Sequence, residues 1–117
     1  MKTLIIDRRR WLRLSEDNYY GSSLCNSEDK KMCCLGFYLR SLGLSQKNFL
    51  DLAMPGDVKV NKRELGWLLK REKGKHDSYD SMELAGINDN YQTDDQFKED
   101  KIKEIFKKHN VKVIFRN

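Results

Sequence analysis

Proline is almost absent from this sequence, with Pro55 the only one, and there are seven glycines. That excludes collagen-like and proline-rich architectures and long low-complexity disorder. Long hydrophobic runs are missing too. No stretch approaches the roughly 20 apolar residues that cross a bilayer. The opening Met1-Lys2-Thr3-Leu4-Ile5-Ile6-Asp7 is too short in apolar residues for a secretory leader. Cysteine is scarce: there are three, and Cys33 and Cys34 are adjacent. Neighbouring cysteines form only strained disulfides, and an odd count without a leader points to a reducing compartment. The expectation is a soluble, cytoplasmic protein with no membrane partner. The phosphate-binding Walker loop, the dinucleotide-binding glycine pattern, the G-x-S-x-G elbow and the C-x2-C zinc knuckle are all absent.

What is present is charge. Charged residues make up 35% of the chain and apolar residues 38%, with a net charge of +5. The pI is about 9.1. That balance permits contact with nucleic acid or with an acidic protein surface. At 117 residues the chain is expected to form one domain, residues 1–117, large enough for a core without staples.

The β-branched run Thr3–Asp7 reads as a strand. Asp7 is placed to cap a helical turn through Arg8–Arg13, with Trp11 and Leu12 folding onto the core and the arginines facing out. Ser15–Lys31 reads as a long polar loop, with a short hairpin around Tyr19-Tyr20 and Leu24-Cys25. From Met32, the residues Met32, Leu35, Leu39 and Leu42 share one helical face. Phe37 and Tyr38 widen it. Gly36 inside that helix costs about 1 kcal/mol relative to alanine, which predicts the close approach of another element. Gly43 suits the position just past its end.

Ser45 is expected to cap a second short helix carrying Phe49, Leu50 and Ala53, stopped by Pro55-Gly56. Asn61 and Glu64 form a capping box for a third, from Lys62 to about Lys73. Its apolar stripe is Leu65, Leu68 and Leu69, with Trp67 on the flank. If Gly66 breaks it, the segment is a loop with one helical turn. Residues 81–87 are apolar and of open type, followed by a turn at Ile87–Asn90. Thr93 and Gln96 make another capping box for a helix over Asp94–His109, with Ile102, Ile105 and Phe106 inward. Val111–Phe115 alternates as a strand. The two end strands are natural partners. The expected fold class is α+β: a small sheet with the N- and C-terminal strands, packed by three to four short helices.

Three constellations bear on function. Cys25, Cys33, Cys34 and His76 supply the S and N ligands that zinc prefers, although the spacing matches no knuckle. Against that stands the reading of the paired cysteines as small core residues. His109 fits a helix C-terminus, where an imidazole suits the dipole. A cysteine nucleophile at the helix start would need a base that no motif supplies. The basic residues form two groups: Arg8, Arg9, Arg10 and Arg13, and the segment with Lys62, Arg63, Lys70, Arg71 and Lys73. They offer phosphate-type donors, with Trp67, Tyr19 and Tyr20 able to stack on bases. They equally suit an acidic protein patch. The acids of Glu28-Asp29 and Asp94-Asp95 dilute the field, and Glu99 and Lys103 read as a surface pair at i, i+4.

The string Lys31-Met32-Cys33-Cys34-Leu35-Gly36-Phe37 follows Asp7-Arg8 and Trp11-Leu12-Arg13. Gly43-Leu44, Pro55, Val58, Ile87-Asn88-Asp89 and Val111–Phe115 come after it. This pattern resembles a small protein family encoded in phages and prophages, over nearly the whole chain. The resemblance implies origin and supplies no catalytic residue. Small phage proteins of this kind are frequently inhibitors of host defence, and the chain is compatible with an anti-CRISPR protein that inhibits Cas9. The resulting expectation is a non-enzymatic protein that binds a host nuclease and blocks DNA loading or cleavage. The Arg8–Arg13 and Lys62–Lys75 patches would form the interface. An acidic, DNA-like face at Asp94-Asp95 to Asp100 is the alternative. The competing functions are a basic nucleic-acid-binding accessory protein and a zinc-stapled interaction module.

Overall fold

The β-branched residues at the two ends of the chain form one sheet. A computed structural model describes residues 1–15, 22–60, 62–70 and 76–117, with the backbone alone at Lys62. The chain runs β1 (Lys2–Asp7), α1 (Cys34–Ser41), α2 (Tyr79–Asn88), α3 (Asp95–Lys108) and β2 (Val111–Arg116). Short 3-10 segments at Gln46–Asn48, Pro55–Asp57 and Lys62–Leu68 lie between α1 and α2. Strands β1 and β2 pair in parallel, with Leu4 opposite Val113 and Ile6 opposite Phe115. The expected α+β class, with both end strands in one small sheet, is what forms.

Alternation decides the two faces of that sheet. Leu4, Ile6, Val111, Val113 and Phe115 are buried, while Ile5, Lys112 and Arg116 point outward. Beneath the inner face lie Leu35 and Leu39 of α1, Leu84 of α2, and Ile102 and Phe106 of α3, in one contiguous core. Each such side chain contributes roughly 1.5–3 kcal/mol by leaving water.

Helix α1 begins two residues later than its apolar stripe suggests. Met32 is held extended, because its N–H donates to the Arg10 carbonyl (3.0 Å) and its carbonyl accepts from Leu12 N–H (2.8 Å). The same pairing keeps residues 11–13 from forming a helical turn. Asp7 instead accepts from Arg9 N–H (3.0 Å) in a tight turn. Trp11 and Leu12 are buried as expected. Gly36 does admit another segment: a Cβ there would sit 1.9 Å from the Leu24 carbonyl oxygen. Gly43, at φ +99°, closes α1 with Leu44 N–H on the Leu39 carbonyl and its own N–H on Arg40.

Other expectations shift. Leu24 and Cys25 pair with Leu50 and Leu52 rather than in a hairpin; Tyr19 and Tyr20 lie outside the described residues. The second helix shrinks to one 3-10 turn without a Ser45 side-chain cap, and Pro55 opens the next turn instead of ending that one. Gly66, at φ 53° and ψ −126°, breaks the third helix, so the alternative of a loop with a helical turn holds. Residues 81–87 belong to α2, capped by Ser78, whose Oγ accepts from Ser81 N–H. Asp94, not Thr93, caps α3 by accepting from Phe97 N–H.

One polar side chain pins these pieces together. Asn88 is fully buried. Its Oδ1 accepts from Trp11 Nε1 (2.8 Å) and Cys34 N–H (3.1 Å), and its Nδ2 donates to the Leu12 carbonyl (2.9 Å). The end of α2, the start of α1 and the segment after β1 therefore meet at a single amide. Lys98 is also fully buried. Its ammonium donates to the Asn90 carbonyl and to both the carbonyl and hydroxyl of Thr93. Burial pushes its pKa down.

Candidate functional site

The N-terminal arginines and α3 form a charge lattice. Asp95 and Glu99, four residues apart, stand on one helical face. Arg8 forks onto Glu99, with Nε and Nη2 each 2.8 Å from a carboxylate oxygen. Arg13 forks onto Asp95 at 3.2 and 2.7 Å, and also donates to the Arg8 and Trp11 carbonyls. Its guanidinium lies 4.5 Å from the Trp11 ring centroid. The Glu99 side chain is only 6% exposed. Two of the four arginines thus turn onto α3 rather than outward, and Glu99 pairs with Arg8, not Lys103. The Arg13 hydrogen bonds hold the Asp95 carboxyl below its ordinary range. A polar cleft of about 340 Å³ opens beside this pair, where Asp29 and Lys31 also line the wall.

Arg9 pairs with Asp7 at 3.3 Å, and the Arg10 side chain, among the described residues, reaches only the Lys30 carbonyl at 3.5 Å. In the second basic group, Lys70 is exposed and Arg63 already has an interaction partner. The Lys62 side chain, Arg71 and Lys73 lie outside the described residues. The acidic alternative is also occupied internally: Asp94 caps α3, Asp95 holds Arg13, and Asp100 accepts from Gln96 (2.9 Å).

The four zinc candidates are not brought together. Cys25, Cys33 and Cys34 are buried free thiols, whereas His76 is exposed. Among the described residues, no group of three or more His, Cys, Asp or Glu side chains could hold a metal. Cys34 Sγ faces the Leu84 carbonyl (3.9 Å). Burial pushes the Cys33 thiol up to about 12 and the Cys34 thiol upward as well. Both are packed as core residues, where burial disfavours the thiolate that a nucleophile requires.

His109 is more than a helix end. Its ring stacks on Trp67, with centroids 3.8 Å apart and planes 4° apart. Its Nε2 lies 2.6 Å from Asp80 Oδ2, and Lys108 reaches the other oxygen at 3.1 Å. These contacts, His109 first, hold the Asp80 carboxyl low. The cluster locks the Trp67 segment to α2 and α3.

Three further cations without an acid among the described residues gather at the later turns of α3 and on β2. Lys103 and Lys107 of α3 and Lys112 of β2 are exposed and line a cavity of about 390 Å³ with Met1, Val111 and Val113. None of the three lysines has an ion pair among the described residues. Sequence reasoning missed them because it assigned Lys103 to Glu99. The available signal was that Lys103 and Lys107 sit at i, i+4, while Lys112 points outward in an alternating strand. No helix among the described residues is long and apolar enough to cross a membrane. Compared with family models, curated proteins and solved structures, the chain matches none of them.

Proposed function

We propose that the chain is a non-catalytic binding protein that inhibits a bacterial defence nuclease of the Cas9 kind by covering a surface needed for DNA loading or cleavage. The observation that carries the reading is the sorting of charge. The arginine forks and the acids of α3 bind one another and stiffen the scaffold. Among the described residues Lys103, Lys107 and Lys112 have no ion pair, and they surround a cavity walled by Met1, Val111 and Val113. A rigid surface with an apolar centre and a basic rim suits an acidic protein patch, because complementary charge steers docking and fixes register.

The test is a DNA cleavage assay with guide-loaded Cas9 and other bacterial effector nucleases, with the chain added in excess. Cleavage should fall with increasing chain, and more weakly for the Lys103→Glu/Lys107→Glu variant. Undiminished cleavage by every effector would overturn the reading. The same lysines also favour a second reading, binding to nucleic acid. A shift of plain DNA or RNA that fades steeply with salt would support it, since phosphate contacts release counterions.

A further inference from the structure

A parallel sheet of two strands is unusually small. Parallel sheets generally extend further and are covered on both faces. Among the described residues, β1 and β2 have helices on the inner face only, and no third strand pairs with either.

The pairing phase tells which main-chain groups β2 leaves over. Lys2 N–H donates to the Asn110 carbonyl (3.3 Å) and Arg8 N–H to the Arg116 carbonyl (2.6 Å). With period two, the main-chain groups of Lys112 and Ile114 face β1 as well. Those of Val111, Val113 and Phe115 therefore point away from β1. Among the described residues, nothing outside the sheet hydrogen-bonds to them. The 390 Å³ cavity has Val111 and Val113 in its wall, with Met1 beside them. Lys103 and Lys107 rise from α3 on one side, and Lys112 stands on the strand itself. Lys103 Nζ lies 5.9 Å from the Phe115 ring centroid.

We infer that the outer edge of β2 is a strand-acceptor site for an acidic, extended segment of a partner protein. The segment adds a third strand by hydrogen-bonding Val111, Val113 and Phe115. Its carboxylates meet Lys103, Lys107 and Lys112. The unpaired donors and acceptors call for a peptide backbone, which a nucleic acid lacks, and the three free cations select an acidic one. This deepens the binding reading above and rests on it for the existence of a protein partner, not for that partner being a nuclease.

The probe is a short synthetic peptide of alternating glutamate and valine, titrated into the ¹⁵N-labelled full chain. The controls are its lysine–valine counterpart and a copy N-methylated at alternate amides. The acidic peptide should bind, shift the Val111, Val113 and Phe115 amide signals and slow their hydrogen exchange. The controls should not. Lys103→Gln/Lys107→Gln, both on exposed sites, should fold normally and weaken binding about tenfold.

No binding by the acidic peptide would overturn the site and leave the lysines as guards against edge-to-edge pairing. Equal binding by the N-methylated copy would overturn it as charge attraction alone. Concentration-dependent dimerisation through the same amides would overturn it in favour of a second copy. Oligothymidylate shifting those amides would overturn it in favour of nucleic acid. Peptide binding with uninhibited nuclease sinks the nuclease reading and keeps the site. Inhibited nuclease without peptide binding does the reverse.

Discussion

The first turns of α3 and its later turns are similarly dense in charged residues, yet they pair to different extents. Near the start, Asp94 caps the helix, Asp95 and Glu99 are forked by Arg13 and Arg8, and Lys98 is buried on three oxygens. Further along, Lys103 and Lys107 face solvent along β2 with no acid among the described residues. What separates the two halves is the partner that the fold delivers. The segment after β1 carries arginines across the first half; across the second, Asp80 of α2 takes Lys108, and among the described residues no acid reaches Lys103 or Lys107. A charged run in a sequence is therefore an inventory of groups, and only pairing decides whether they hold the protein together or remain free to bind.

The strongest way to break the fixed half is to remove the amide that positions the arginine-bearing segment. Asn88→Leu leaves Trp11 Nε1, Cys34 N–H and the Leu12 carbonyl without their partner. Each unsatisfied buried group costs about 1–3 kcal/mol, so a loss of about 3 kcal/mol or more is expected in urea unfolding. Next is Gly36→Ala. Helix propensity alone predicts a gain of about 1 kcal/mol. The clash with the Leu24 carbonyl predicts a net loss of about 2 kcal/mol instead, as for other overpacked sites. Thermal unfolding of that variant reads the sign directly.

A smaller effect comes from acid. Asp95 and Asp80 are both held below the ordinary value of 3.8. Between that value and their depressed ones, the unfolded chain binds more protons than the native state. Their stabilisation is complete above about pH 4 and fades as pH falls through the depressed values. Melting temperature followed downward from pH 5 should show this decline, and Asp95→Asn/Asp80→Asn should flatten it. The smallest effect belongs to the open half. Lys103→Ala and Lys107→Ala should each change stability by less than about 0.5 kcal/mol, because exposed unpaired side chains hold nothing in place. A larger loss would mean that these lysines serve the fold after all.

Local pattern revealed much of the fold. The alternation in Val111–Phe115 and the β-branched run after Lys2 gave both strands, and the stripe of Leu35 and Leu39 gave α1. Gly36 foretold a close approach and Gly43 the end of α1. The failures were contacts between distant segments. Met32 fits the helical stripe, but its main chain is taken by Arg10 and Leu12. Glu99 sits four residues before Lys103, yet Arg8, far away in sequence, claims it. The paired cysteines have ligand chemistry but fold into the core, with His76 left at the surface. The α2 helix was obscured because its residues mix polar and small side chains with few large apolar ones. The charge left over on β2 was invisible until the pairing of everything else was known.

Amide hydrogen exchange along β2 in the free protein tests the division into a fixed and an open side most directly. Lys112, Ile114 and Arg116 face β1 and should be protected, while Val111, Val113 and Phe115 should exchange much faster, giving an alternation along one strand. Uniform protection across all six amides would contradict it, because the outer edge of β2 would then already be occupied.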